Sequence, residues 1–465
     1  MAGATERIEE MPPDGGSRET PPRAASPETN ARVRVLIWVT AAVVIPLLTW
    51  HAGFARLRPF GIYLLLIPTL LGVLFVHRNL DNPRLRPWVA LLILAASMFC
   101  VDMAQVISQA RPTVQNWLQR IVEDPQTTSY YTDAMRFVHQ SGWIATFQDQ
   151  TLQLHSSTHP AGPILFYVLL IDGLGSARAT LAGPLLIAVL SAASVLAMYY
   201  FAGIWTSVRR DRMLICLLWT LCPAIGLVYP EFDQVYPVLS MLMLASWVYS
   251  LQRGLRFALL LGFSAFLATL FAYNLLVVGT FVACSGIGFL WLAQWRKSAV
   301  LRLIQAGCFA LGLFLVLHVT FSLATGYHAW ASFVHSLHVQ KMIEKRPHGL
   351  YAAASNIYNF SLGSGFVPEI LGVFFLVEVI KSPQRRNVVW IAMIASALTL
   401  IAVEATGILD YEAQRVWLFL QPLIFVPAAL KLGEFSRKDQ TGALLAQWAL
   451  LATIGRSVLF VVPFP

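Results

Sequence analysis

Charge is what this chain has least of. Of its 465 residues only 12% are Asp, Glu, Lys or Arg, against 57% hydrophobic, while a soluble domain carries roughly 25% charged residues. That scarcity excludes an ordinary water-soluble protein. Cysteine is sparse as well. Cys100, Cys216, Cys222, Cys284 and Cys308 all lie within apolar runs, with no CxxC pair and no zinc-like spacing, so neither a disulfide framework nor a structural zinc module is indicated. Alternation of apolar and polar residues over about ten positions, the pattern of a transmembrane β-barrel, is missing too. The net charge of +9 gives no sign of nucleic-acid binding. The basic residues form short clusters beside apolar runs, where the positive-inside tendency of membrane proteins accounts for them.

What the chain does have is apolar length. Runs close to the roughly 20 residues that a helix needs to cross a bilayer core recur at 33–50, 60–77, 87–107, 178–203, 212–229, 234–251, 255–271, 274–294, 301–325, 365–381, 387–407, 412–431 and 441–461. The expected fold is an all-α polytopic membrane bundle of about thirteen helices. Residues 1–31, rich in Pro, Gly, Glu and Ser, cannot bury enough apolar surface to offset chain entropy and read as a disordered cytoplasmic tail. The first transmembrane helices occupy 32–107, a long extracytoplasmic loop 108–177, and the remaining bundle 178–465, with a second outer loop at 326–364. With the N-terminus in the cytoplasm, the connections "HRNLDNPRLR", "RRDR", "QRGLR", "QWRKS", "KSPQRR" and "KLGEFSRK" all become cytoplasmic, and all are basic. This holds only if the short apolar segment 161–175 is half-embedded and does not cross. The C-terminus is then extracytoplasmic.

The outer face receives four polar pieces. In "SYYTDAMRFVHQSGW", Asp133 is flanked by Tyr130 and Tyr131 on an interfacial helix, where a half-dry carboxylate can act as general base on a hydroxyl. In "QLHSSTHPAGPILFY", Pro160 suits the first turn of a helix and holds His159, with His155 nearby, at the mouth of any cavity the loops enclose. In "YPEFDQVYP", Glu231 and Asp233 occupy the turn between two spans. In "LDYEAQRVW", Glu412 and Arg415 fall at i and i+3 of a helix, and a guanidinium paired in this way suits a phosphate or a sugar. The loop "HVQKMIEKRPHGLYAAASNIYNF" adds Lys341, Lys345, Arg346 and His348, cations on the side where the orientation rule disfavours them, which points to a polyanion. Asn356 is a candidate sugar-facing donor.

These motifs, in this order, resemble the GT-C superfamily of membrane glycosyltransferases. An acid beside Tyr in the first long outer loop ("YYTDA") is followed by "HPAGP", similar to that superfamily's HPPG, then by "YPEFD", "RPHGLYAAASNIYNF" and "EAQRVWLFLQP". The resemblance covers about residues 100 to 430. Ala161 replaces the second Pro of HPPG, and Asp133 has no acidic neighbour, unlike the paired acids of many members. The resemblance implies transfer of a sugar from a polyprenyl-phosphate donor to a hydroxyl of a lipid or glycan acceptor, with inversion at the anomeric carbon. Asp133 would be the base, Asp233 and His159 would position substrate, and Arg415 with the loop cations would hold the leaving phosphate. No cofactor is implied, and a divalent metal is the lesser alternative. Beyond the donor, acceptor and membrane lipids no partner is indicated. Two rival readings are a transporter or lipid flippase, which lacks the expected internal repeats here, and a ligase that transfers a whole lipid-linked glycan.

Overall fold

The computed structural model describes residues 27–54, 61–110, 113–125, 127–343, 350–381, 387–406 and 412–457. The described secondary structure is entirely helical. Helix α1 (Pro27–Phe54) begins inside what composition assigned to the disordered tail, and its first turn is tied by the Arg32–Glu28 pair. Residues 1–26 of that tail lie outside the described residues. Next come α2 (Gly61–Leu65), α3 (Ile67–Arg78) and α4 (Pro87–Gln109), the last two opened by Pro in the first turn, where no amide donor is lost.

The first long loop is itself helical. It holds α5 (Val114–Glu123), α6 (Tyr130–Phe137), the one-turn α7 (Leu154–Ser157) and α8 (Gly162–Leu174). Helix α8 packs on α6, and its successor α9 (Ser176–Ala202) starts beside α6, where the Tyr131 hydroxyl donates to Ser176 O at 3.2 Å. Helix α8 and the start of α9 are thus both held against α6. Gly162 makes the entry of α8 possible, because a Cβ there would lie 2.2 Å from Leu270 O.

The remaining bundle comprises α10 (Arg209–Thr220), α11 (Pro223–Leu227), α12 (Tyr236–Gln252), α13 (Arg256–Phe271), α14 (Val278–Leu292), α15 (Lys297–Thr325), α16 (Ala329–Ile343), α17 (Leu350–Ser364), α18 (Val367–Ile380), α19 (Val388–Thr406), α20 (Ala413–Val416), α21 (Pro422–Gly433) and α22 (Arg437–Ser457). Close helix approach replaces hydrophobic pressure, as expected in lipid. A Cβ on Gly262 of α13 would sit 2.4 Å from the Ala310 carbonyl of α15. Large apolar side chains such as Leu64, Leu323 and Ile401 remain exposed on the bundle surface and meet the lipid.

Eight described helices are long and apolar enough to cross a membrane, and α17 with α18 form a further pair bent by 110°. Among the described residues, the other five of the thirteen expected runs do not form single helices of that length and apolarity. The runs 212–229 and 412–431 are broken, at Leu221–Cys222 before Pro223 and at Gln421 before Pro422, since Pro cannot continue a preceding helix. The run 255–271 is the shorter apolar helix α13, 365–381 is one arm of the bent pair, and 441–461 is the more polar α22. The described residues of the outer loop 326–364 are largely helical, as α16 and α17.

Several basic connections meet at one end of the bundle. Arg209 donates to Leu85 O, Arg437 pairs with Asp81, and Arg34 pairs with Asp439 at 2.9 Å. The polar pieces singled out in the sequence, so far as they are described, gather at the other end.

Candidate active site

The site is built around Arg415 on α20. Its one-turn helix exists because the chain breaks again at 418–420 and at Pro422, which swings the guanidinium inward. Glu412, at the N-cap of α20, pairs with Arg415 Nη2. Two further carboxylates come from the turn after α11: Glu231 Oε1 lies 3.6 Å from Nη1, and Asp233 Oδ2 lies 4.0 Å from Nε. Both acids are buried, at 4% and 8% exposure. The short helical turn 232–234 presents them on either side of Phe232, whose ring packs against Tyr130, Phe166 and Tyr167.

From the first loop, Tyr130 and His159 complete this group. Their rings meet edge to face at 5.6 Å. Tyr130 follows Ser129, which adopts the left-handed conformation (φ 55) and is fully buried. The strain of a non-glycine residue there is held by the Ser129 hydroxyl, which accepts from the Ser156 amide at 3.0 Å. His159 Nδ1 donates to the His155 carbonyl at 2.9 Å, which leaves Nε2 as the ring's acceptor nitrogen.

Electrostatics follow from burial and from one cation among several acids. Burial pushes Glu231 up to about 8; Arg415 opposes that shift and Asp233 and Glu412 add to it. Near neutral pH Glu231 is therefore mostly protonated. Burial takes His159 down to about 4, against the pull of its bond to His155 and helped by Arg415, so the imidazole is neutral. Tyr130 is raised well above the ordinary phenol range, first by burial and then by Glu231. For Arg415, burial works downward, but Glu412, Asp233 and Glu231 more than offset it and hold the guanidinium charged. Its Nε is nevertheless buried without a hydrogen-bond partner, as are Gln414 Oε1 and Trp417 Nε1 on either side.

The structure therefore brings Tyr130, His159, Glu231, Asp233, Glu412 and Arg415 together. Asp133 is placed differently. Its side chain is fully buried, and both oxygens are engaged within the first loop: Oδ1 pairs with Arg136 at 2.9 Å and Oδ2 accepts the Gln153 amide at 3.0 Å. Arg136 also donates to Thr151 O at 2.8 Å. Asp133 thus closes α6 onto residues 151–153. Tyr131 faces Ser176 and Tyr167, and His155 holds His159 through its carbonyl. Lys341 is exposed near the end of α16, a helix that packs against α7 and residues 147–149. Asn356 is buried in α17, which packs on α20. Lys345, Arg346 and His348 lie outside the described residues. Among those described, no group of three or more His, Cys, Asp and Glu side chains is placed to hold a metal ion.

Residues not singled out from sequence also shape this group. Tyr236 donates to Phe271 O at 3.2 Å and faces Tyr130 and the two turn acids, and Asn274 Nδ2 donates to Val416 O at 3.4 Å behind Arg415. The doubled Tyr of "YPEFDQVYP" was the only trace of the first, and nothing local marks the second.

No family model matches the chain, and no curated protein matches it in sequence. Among solved structures, the apo crystal structure of an oligosaccharyltransferase from Archaeoglobus fulgidus aligns with TM-score 0.53 at 12% identity, covering 79% of this chain and 56% of that one. ArnT from Cupriavidus metallidurans, also apo, aligns with TM-score 0.47 at 14% identity, covering 69% and 57%. The chain thus spans little more than half the length of either protein. In its fold the chain is similar to that oligosaccharyltransferase, and its long apolar helices make it an integral membrane protein.

Proposed function

We propose that the protein is a glycosyltransferase that moves a sugar from a polyprenyl-phosphate donor to a hydroxyl acceptor, at the end of the bundle where Arg415 lies. The observation that carries this reading is the Arg415 group itself: a largely buried guanidinium with unspent hydrogen-bonding capacity, ringed by acids and beside a neutral imidazole, on the GT-C fold. In this reading Arg415 takes the developing charge on the leaving phosphate, an electrostatic contribution that grows toward the transition state. Asp233 accepts the proton of the acceptor hydroxyl as its oxygen attacks the anomeric carbon. The bond to the phosphate oxygen breaks on the opposite face, and the sugar is inverted. Glu231, kept protonated by burial, donates a hydrogen bond and does not compete with phosphate for Arg415. His159 and Tyr130 orient the sugar.

Asp133, the base implied by the motif, is the weaker choice, because Arg136 and the Gln153 amide already occupy its oxygens. Lys341 is a further candidate for the donor phosphate from the rim. This end of the bundle is assigned to the extracytoplasmic side of a bacterial inner membrane, with the basic connections and the N-terminus in the cytoplasm. Reporter fusions after residues 140 and 345 should then both read extracytoplasmic.

Purified protein incubated with panels of polyprenyl-phosphate sugars and of hydroxyl acceptors should release polyprenyl phosphate with at least one pair, and Arg415→Ala should slow the release by about 10²–10³-fold. Release at the native rate in Arg415→Ala would contradict the assignment. Donors carrying an assembled glycan, included in the same panel, separate single-sugar transfer from ligation.

A further inference from the structure

We propose that Asp102 is a positioning residue for the active-site turn, gripping from behind the segment Tyr229–Gln234 that carries Glu231 and Asp233. Its importance to transfer rests on the function proposed above; the anchoring itself does not. Asp102 lies on α4 within the apolar run "MFCVDMAQVI" and is fully buried. An ionisable group at membrane depth is costly and is usually retained for function.

Its contacts lead chiefly to one place, with Ser191 of α9 the other side chain facing it. Oδ1 accepts from Gln234 Nε2 at 2.8 Å, and the same nitrogen donates to Ile225 O. One amide thereby ties the end of the turn both to α4 and back to α11. The Tyr229 hydroxyl, at the start of the turn, lies within electrostatic reach of the same carboxylate. Its ring is packed with Val106, Leu118 and Ala188. Helix α11 seats closely on α4, where a Cβ on Gly226 would lie 2.8 Å from Val101 Cγ1. Asp102 is therefore reached from both ends of a segment only six residues long, whose middle faces Arg415.

Stability alone does not explain this arrangement. Asp102 Oδ2, the Tyr229 hydroxyl and Gln234 Oε1 are all buried without a hydrogen-bond partner in the protein, although buried polar groups are generally paired. An incompletely satisfied polar set is less stable than an apolar replacement of similar shape. What the set does provide is a directional hold on the turn that spaces Glu231 and Asp233 from the guanidinium.

The test uses hydrogen–deuterium exchange on the full-length protein in nanodiscs, read on peptides covering residues 225–236. Asp102→Leu removes the acceptor and should speed exchange there by about tenfold or more, with peptides from α19 unchanged as the control for local opening. Asp102→Asn keeps an acceptor oxygen and should stay within about threefold of the native protein. Should Asp102→Leu fail to fold, Gln234→Leu removes the same bond from the turn side and carries the same expectation. In a donor assay, the acid limb of kcat/KM should move to higher pH in Asp102→Leu, because carboxylates that drift from Arg415 hold their protons more tightly. A purely structural role would lower yield without moving that limb. Unchanged exchange in both leucine variants overturns the proposal, as does equal damage from Asp102→Asn and Asp102→Leu. If exchange responds as expected while the native protein releases no polyprenyl phosphate from any donor, the transferase reading fails and the anchoring stands.

Discussion

Two cations in this protein are enclosed by carboxylates at opposite ends of the bundle, and they are finished differently. Lys431, in the last turn of α21, is completely buried and gives its three N–H bonds to three oxygens: both of Glu378 at 2.8 Å and one of Glu434 at 2.9 Å. Arg415 also has carboxylates from three residues, yet only Glu412 is close. Glu231 and Asp233 stand off at 3.6 and 4.0 Å, and Nε has no bonded partner. A saturated pair has nothing left to offer a ligand and reads as a clamp between α18 and α21. An unsaturated one retains donors and a charge that another anion can use. The difference separates structure from chemistry more sharply than burial does.

The largest effect expected from this contrast is kinetic. Arg415→Ala should lower turnover per folded molecule by about 10²–10³-fold, the usual cost of removing a preorganised charge-stabilising group, besides the folded protein it loses by leaving Asp233 without its cation. Lys431→Met should cost stability alone. It leaves two carboxylates unpaired, a change that costs roughly 3–5 kcal/mol for a fully buried pair, somewhat less here because Glu378 is partly exposed. Melting temperature should fall while turnover per folded molecule stays within about threefold. Similar kinetic losses in both variants would erase the contrast.

Asp233→Asn comes next, with a loss of about 10²-fold or more in kcat, the range for a general base. Asp133→Asn and Arg136→Ala form a third, smaller comparison. If the pair only closes the first loop, both should reduce activity to a similar extent, by about tenfold or less, and both should lower the melting temperature. A far greater loss in Asp133→Asn than in Arg136→Ala would return the base to Asp133.

The smallest effect is thermodynamic. Burial raises Glu231 from the ordinary 4.5 to about 8, so the folded protein binds a proton there that the unfolded chain has released. Its contribution is fully present below pH 4.5 and is lost as pH rises through about 8. The melting temperature should decline across that window, and Glu231→Gln should flatten the decline.

Much of this was legible from residue types and spacing. Apolar run lengths gave away the membrane bundle, and the basic clusters identified the connections that meet at one end. "YPEFD" and "EAQR" marked the residues that meet around Arg415. The short 161–175 segment was recognisable as a helix too short for an ordinary span, because Asp172 and Gly173 end it after about a dozen residues. What the sequence could not convey was direction. Asp133 and Tyr130 share one helix, and no periodicity says that the tyrosine turns toward Arg415 while the carboxylate turns toward Arg136 and Gln153. The breaks within the runs were legible only in part. Pro223 and Pro422 stand in the runs they interrupt, but apolar composition does not say that these breaks admit polar backbone and Arg415 into the bundle.

The most direct measurement is binding of polyprenyl phosphate, the proposed leaving group, to three purified proteins in nanodiscs. The account predicts that the native protein and Asp133→Asn bind it with similar affinity, while Arg415→Ala binds at least about tenfold more weakly, as expected for a lost charge-assisted contact. Equal binding by Arg415→Ala and the native protein, or selective loss in Asp133→Asn, would contradict the placement of the phosphate at Arg415.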